Sequence, residues 1–206
     1  MIGFYNYTVW LTYLSLISGS LGIYFALSEN PLAATICLGI SGLLDLFDGK
    51  VARTKKDRTE DQKKFGIQID SLSDLVCFGV LPSAIGYALG MRQWYFIFVF
   101  AFFILAGMIR LAYFNVMEEH RQEEGGKPYF YGMPITFSSM IVPLFFILSR
   151  LIHEGFPYIY STLLIVLGLF FLIKVKVPKP SAKVSFIYSG ILLVLYVVGF
   201  ILLCTR

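Results

Sequence analysis

Seven apolar runs, each near the roughly twenty residues needed to cross a bilayer as a helix, follow one another along this chain of 206 residues. They fall near 7–27, 32–52, 67–90, 94–116, 133–152, 157–174 and 184–203. In lipid the backbone must satisfy its own polar groups, so such runs fold as helices. The sixth run is short, and six spans is the alternative count. Only 15% of the residues are charged and 57% are hydrophobic, whereas a soluble domain averages about 25% charged. A soluble globular domain, a disordered tail and a fibrous repeat are therefore excluded. The predicted fold is all-α, a polytopic transmembrane helical bundle over residues 1–206. The length fits one such bundle rather than two domains. The first run is long enough to be retained as a span and has no basic flank, unlike a cleaved signal.

Lysines and arginines orient the bundle. Lys50, Arg53, Lys55, Lys56, Arg58, Lys63 and Lys64 lie between the second and third runs or at their ends. Arg121 and Lys127 follow the fourth run, and Lys174, Lys176, Lys179 and Lys183 precede the seventh. The opposite side holds only Arg92, Arg150 and Arg206. The positive-inside rule makes the first side cytoplasmic. Lysines there also attract anionic lipid head groups. Cys37, Cys77 and Cys204 lie far apart in apolar stretches and read as small packing residues. His120 and His153 read as solvated loop residues.

Four carboxylates break the apolar pattern. Asp45 and Asp48 lie near the end of the second run, in SGLLDLFDGKVAR, and Asp70 and Asp74 near the start of the third, in FGIQIDSLSDLVCFGV. Spacings of three and four place each pair on one helix face, with Gly49 and Ala52 continuing the first stripe and Gly66 the second. Two consecutive antiparallel helices thus present two carboxylates each at similar depth. Carboxylates within a membrane helix are costly and face a cavity, a partner charge or a metal. Four together repel unless cations neutralise them. Oxygen ligands without His or Cys favour Mg²⁺, Mn²⁺ or Ca²⁺ over zinc. Four suffice for two cations of the kind that clamp a phosphoryl group. Gly49 and Gly66 leave room for a ligand, and Arg53 offers a planar fork to phosphate oxygens. A divalent-cation transporter or channel is the competing reading, because carboxylates also line ion pathways. An arginine beside the ligands favours a diphosphate instead.

The string D-x-x-D-G-x-x-A-R followed by G-x-x-x-D-x-x-x-D resembles the signature of the CDP-alcohol phosphatidyltransferases. All eight positions match: Asp45, Asp48, Gly49, Ala52, Arg53, Gly66, Asp70 and Asp74. The twelve residues from Thr54 to Phe65 make a longer link than the family pattern has. Their charged insertion DRTEDQKK reads as a longer cytoplasmic loop, with Thr59 as a candidate nucleotide contact. The resemblance implies a six-span core, usually dimeric, with a cavity open to the cytoplasm. It further implies that Asp45, Asp48, Asp70 and Asp74 hold two divalent cations, Mg²⁺ or Mn²⁺ with Ca²⁺ as a possible occupant. Asp74 would also be the general base. Gly49, Ala52, Arg53 and Gly66 would line the pocket for CDP-diacylglycerol, with Arg53 on the diphosphate.

The acceptor alcohol is read from the sequence around the motif. IDSLSDLVCFGVLPS, GMIRLAYFNV and YFYGMPITFS resemble the serine-transferring branch of the family. The implied reaction moves a phosphatidyl group from CDP-diacylglycerol to L-serine and releases CMP. Arg110, inside the fourth run, is a candidate for the serine carboxylate; its alternative is snorkelling to head groups. Asn115 is a second candidate for serine, and Lys127, Tyr129 and Tyr131 could close over the site. Glycerol phosphate, inositol phosphate or choline are the alternative acceptors, but phosphorylated acceptors call for more cations than Arg110 supplies. The expected setting is a prokaryotic plasma membrane, with the active site cytoplasmic, membrane lipids and a second copy as partners, and no nucleic acid.

Overall fold

The computed structural model describes residues 3–52, 54–55, 57–124, 129–131, 133–149, 152, 154–174, 176–178 and 190. The predicted bundle is present. Its helices are α1 (Trp10–Leu27), α2 (Pro31–Ala52), α3 (Glu60–Asp74), α4 (Leu81–Ala88), α5 (Phe96–Glu124), α6 (Ser138–Ser149) and α7 (Phe156–Leu172). A π-helical stretch, Leu75–Val80, joins α3 to α4 as one continuous span. Among the described residues, four helical runs are long and apolar enough to cross a membrane: Tyr7–Leu27, Pro31–Ala52, Glu60–Ala88 and Phe96–Met117. Ile135–Ser149 and Phe156–Leu172 are shorter apolar helices. The chain is an integral membrane protein, and the first six predicted spans each overlap one of these helices. The third begins earlier than predicted, at Glu60, so that Glu60–Lys64 of the charged insertion extends α3 instead of lengthening the loop. The seventh, at 184–203, lies outside the described residues.

The first helix begins cleanly. Asn6 accepts the Thr8 backbone N–H at 3.0 Å and caps a 3₁₀ turn, Tyr7–Val9, that leads into α1. The buried face of α1 is small and polar: Thr12, Ser15, Ser18, Gly19, Gly22 and Ala26. Ala34, Cys37, Leu38, Ser41 and Gly42 are buried on α2. Lipid tails are as apolar as leucine, so such helices associate through close packing and interhelical hydrogen bonds. Ser15 and Ser41 exchange hydroxyl-to-carbonyl bonds of 3.3 and 3.0 Å, and Ser18 Oγ donates to the Cys37 carbonyl at 2.9 Å.

Gly19 is the tightest point of α1 against the π-helical stretch. A Cβ there would lie 2.5 Å from Cys77 Sγ, and Cys77 is fully buried. Gly19→Ala is expected to lower thermal stability by about 1–3 kcal/mol. Removing the sulfur with Cys77→Ala should recover part of the loss, which a double-mutant cycle on the detergent-solubilised protein measures. Additive effects would contradict the contact.

The π-helical stretch begins directly after Asp74. Pro82, at the start of α4, supplies no N–H to the ladder, and the widened turn precedes it. Phe78, Leu81 and Ile85 then enter the core with Leu38, Phe103, Ile135, Val142, Tyr160 and Leu164. The buried Tyr160 hydroxyl donates to the Pro82 carbonyl at 3.0 Å. Helix α5 has 29 residues, about 43 Å at helical rise, and so outruns a hydrocarbon core of ~30 Å.

The connections sort to two ends. At one end Arg92 pairs with Glu29 at 2.7 Å, and the Tyr95 and Tyr158 hydroxyls meet at 2.9 Å. At the other end lie the C-termini of α2, α5 and α7 and the N-termini of α3 and α6. Two three-residue strands, β1 (Tyr129–Tyr131) and β2 (Lys176–Pro178), pair antiparallel there with Phe130 opposite Val177. They tie the α5–α6 connection to the segment after α7, outside an otherwise helical bundle.

Candidate active site

Asp45 and Asp48 occupy the last two turns of α2. Asp70 and Asp74 occupy the last two turns of α3, before the π-helical stretch. The loop between the helices reverses the chain, and Thr59 starts α3 by accepting the Gln62 backbone N–H at 3.2 Å. Glu60 and Asp61 in the first turn complement the helix dipole. The Thr59 hydroxyl is thus a helix cap in this fold. The signal for it was in the sequence, where Thr59 and Gln62 have capping-box spacing.

The two helices bring the carboxylates together. One oxygen from each of Asp45, Asp70 and Asp74 lies within 4.8 Å of the other two. Asp48 stands beside this trio, within hydrogen-bonding reach of Asp70, and Asp45 is within the same reach of Asp74. Asp48 is buried and accepts from Thr12 Oγ1 of α1 at 3.2 Å. Asp70 Oδ1 is buried without a hydrogen-bond partner. None of the ion pairs among the described residues involves any of the four. Clustered like charges, one buried and three half-buried, with an orphaned oxygen and no ion pair among the described residues, are suited to a bound cation. The all-oxygen donor set fits a hard divalent ion.

Around the cluster the predicted contacts are distributed unevenly. Gly66 has open space, because a Cβ added there would meet nothing within 4 Å. Gly49 and Ala52 lie in the final turn of α2, partly buried. Arg53 lies outside the described residues, as do Lys127 and His153. Tyr129 and Tyr131 belong to β1, and His120, expected in a loop, lies in the last part of α5 because that helix runs on past the predicted span. The N-terminal segment reaches both walls of the loop. Phe4 packs edge-on against Phe65 at 5.6 Å between centroids, and the Tyr7 and Thr54 hydroxyls are 3.1 Å apart.

Arg110 does not snorkel. It is 6% exposed, its Nε donates to the Met133 carbonyl at 2.8 Å, and its guanidinium lies 5.2 Å from the Phe114 ring centre. It is within electrostatic reach of Asp74. Its terminal nitrogens have no hydrogen-bond partner among the described residues. Asn115 sits on α5 opposite α3, where Nδ2 donates to Ser71 Oγ at 2.9 Å. The Ser71 hydroxyl in turn lies 3.1 Å from Asn115 Oδ1. Ser71 and Thr12 are two residues at the site that sequence reasoning missed.

Fold and site together define a membrane-embedded helical protein with a cluster of carboxylates, able to hold a metal ion, at one end of its bundle. Residues 5–174 match the sequence model for CDP-alcohol phosphatidyltransferase. The chain belongs to the CDP-alcohol phosphatidyltransferase family. It is similar to a CDP-diacylglycerol–serine O-phosphatidyltransferase of Helicobacter pylori, 32% identical over 80% of this chain and 68% of that protein. An enzyme of the same name from Saccharomyces cerevisiae is 30% identical over 71% of this chain. An archaetidylserine synthase of Methanothermobacter thermautotrophicus is 34% identical over 66% of this chain. The chain matches 57% of the yeast protein's length and 56% of the archaeal one's.

Proposed function

We propose that the protein transfers the phosphatidyl group of CDP-diacylglycerol to the hydroxyl of L-serine, giving phosphatidylserine and CMP. The observation that carries this reading is the convergence of Asp45, Asp70 and Asp74, with Asp48 beside them, at one end of the bundle. The names of the relatives support serine as the acceptor.

Two divalent cations, Mg²⁺ or Mn²⁺ with Ca²⁺ as an alternative occupant, would be held by the four carboxylates and would neutralise the diphosphate charge when bound. Gly49, Ala52, Arg53 and Gly66 form the CDP side of the pocket, and the open space at Gly66 supports close approach of the ligand. Arg110 receives the serine carboxylate on its terminal nitrogens. A buried guanidinium with spare donors is costly until an anion pairs with it. Asn115, linked to Ser71, borders the acceptor beside Asp70. Asp74 takes the proton of the serine hydroxyl as that oxygen bonds to the phosphorus nearest the diacylglycerol. The bond from that phosphorus to the CMP oxygen breaks, and CMP leaves. Holding both substrates in line is the larger part of such catalysis.

The same reading makes the protein a homodimer of the bacterial or archaeal plasma membrane, with residues 1–206 acting as one domain. The lysine and arginine distribution supports a cytoplasmic active site. An acceptor competition tests the function. Purified protein is given CDP-diacylglycerol, Mn²⁺ and equal amounts of L-serine, glycerol 3-phosphate, inositol 1-phosphate and choline, and the product lipids are weighed by mass spectrometry. Phosphatidylserine should dominate. A different headgroup would keep the family and replace the acceptor. No product lipid, with Mn²⁺ flux into protein-loaded vesicles, would favour a cation transporter.

A further inference from the structure

Helix α1 carries no residue of the family signature, yet it reaches the acidic cluster. Thr12 is 5% exposed, and its hydroxyl donates to Asp48 Oδ2 at 3.2 Å. A threonine within a helix commonly turns its hydroxyl back to a carbonyl of its own helix. Thr35 does so toward Pro31 at 2.7 Å, and Thr162 toward Tyr158 at 2.9 Å. Thr12 crosses to the neighbouring helix instead. Its own carbonyl accepts from Ser73 Oγ at 3.3 Å, on the residue before Asp74. One residue of α1 therefore touches both acid-bearing helices, α2 through its side chain and α3 through its backbone.

We propose that Thr12 is a positioning residue of the cation site, fixing the rotation of the Asp48 carboxylate against Asp45, Asp70 and Asp74. The inference rests on the reading of the four carboxylates as cation ligands. A carboxylate that accepts a hydrogen bond on one oxygen has its other oxygen oriented for a cation, and such orienting partners govern affinity. Asp48 needs this more than the others do, because it stands beside the converged trio rather than within it. The next turn of α1 provides a built-in control. Ser15 bonds the Ser41 carbonyl, and its own carbonyl accepts from Cys77 Sγ at 3.3 Å. These are interhelical bonds of the same kind that touch no carboxylate.

The test is Mn²⁺ binding by the full chain in detergent, followed by electron paramagnetic resonance of free Mn²⁺ and by the Mn²⁺-dependent rise in Tm. Thr12→Val keeps the shape and removes the hydroxyl, and should weaken Mn²⁺ binding by about 10–100-fold. Thr12→Ser restores the hydroxyl and should bind within about threefold of the parent protein. Ser15→Ala should lower Tm without Mn²⁺ while leaving Mn²⁺ affinity unchanged. Parent-like affinity in Thr12→Val would overturn the proposal. An equal loss in Ser15→Ala and Thr12→Val would also overturn it, by reducing Thr12 to helix packing. No Mn²⁺ binding by the parent protein would overturn the cation site itself, and this inference with it.

Discussion

Asp74→Asn is expected to lower serine-dependent CMP release by roughly 10³-fold or more, within the range that loss of a general base produces. Asparagine keeps the shape of the side chain and removes both the basic oxygen and one negative charge. The same substitution should leave the metal-free bundle at least as stable as the parent. Asp74 has Asp45 within hydrogen-bonding reach and Asp70 within 4.8 Å, so neutralising it relieves repulsion. The rise in Tm on adding Mn²⁺ should shrink, because a ligand has been weakened. Loss of activity together with a lower metal-free Tm would instead indicate that Asp74 holds the helices together. Activity close to that of the parent would remove Asp74 as the base.

Arg110→Met should act on serine rather than on the lipid nucleotide. Methionine fills much of the same volume and suits a span, so the bundle persists. The KM for L-serine is expected to rise roughly 100-fold, about 2.7 kcal/mol, which lies inside the cost of truncating a buried charged partner. The KM for CDP-diacylglycerol should stay within about threefold, because in the proposed site the diphosphate would be bound through the cations held by the carboxylates and not through Arg110. A second readout isolates the carboxylate. Ethanolamine is serine without that group, so the parent should prefer L-serine strongly and Arg110→Met should lose most of the preference. Arg110→Lys should recover little, since the fork that bonds the Met133 carbonyl through Nε and leaves two terminal nitrogens has no lysine equivalent. An unchanged serine preference would return Arg110 to a purely structural role.

What could be read from the sequence follows the reach of helical periodicity. Asp70 and Asp74 are four apart and Asp45 and Asp48 three apart, so each pair had to share a face. Their meeting followed because α2 and α3 are consecutive antiparallel spans. Arg110 could be singled out because a cation inside an apolar run is expensive wherever it points. Thr12 could not. A threonine in an apolar helix has no local cost that marks it, and its partner Asp48 is 36 residues away. Ser71 and Asn115 are 44 apart and equally hidden as a pair, although Asn115 alone stands out as a polar residue in a span. The π-helical stretch Leu75–Val80 shows no periodicity of its own over six residues, and Pro82 only hints at a break. Its consequence reaches the site, since the phase of the helix changes immediately after Asp74. The strand pair joining β1 to β2 depends on the meeting of two connections 47 residues apart between Tyr129 and Lys176, which composition alone cannot reveal.

The central claim is that the four-carboxylate end of this bundle joins L-serine to the phosphatidyl group. It is tested most directly by CMP release from CDP-diacylglycerol by the purified protein with Mn²⁺, with and without L-serine. The account predicts CMP that appears only with serine, in step with phosphatidylserine, and that disappears when Mn²⁺ is chelated. CMP formation indifferent to serine and to every other alcohol, or undiminished after chelation, would contradict it.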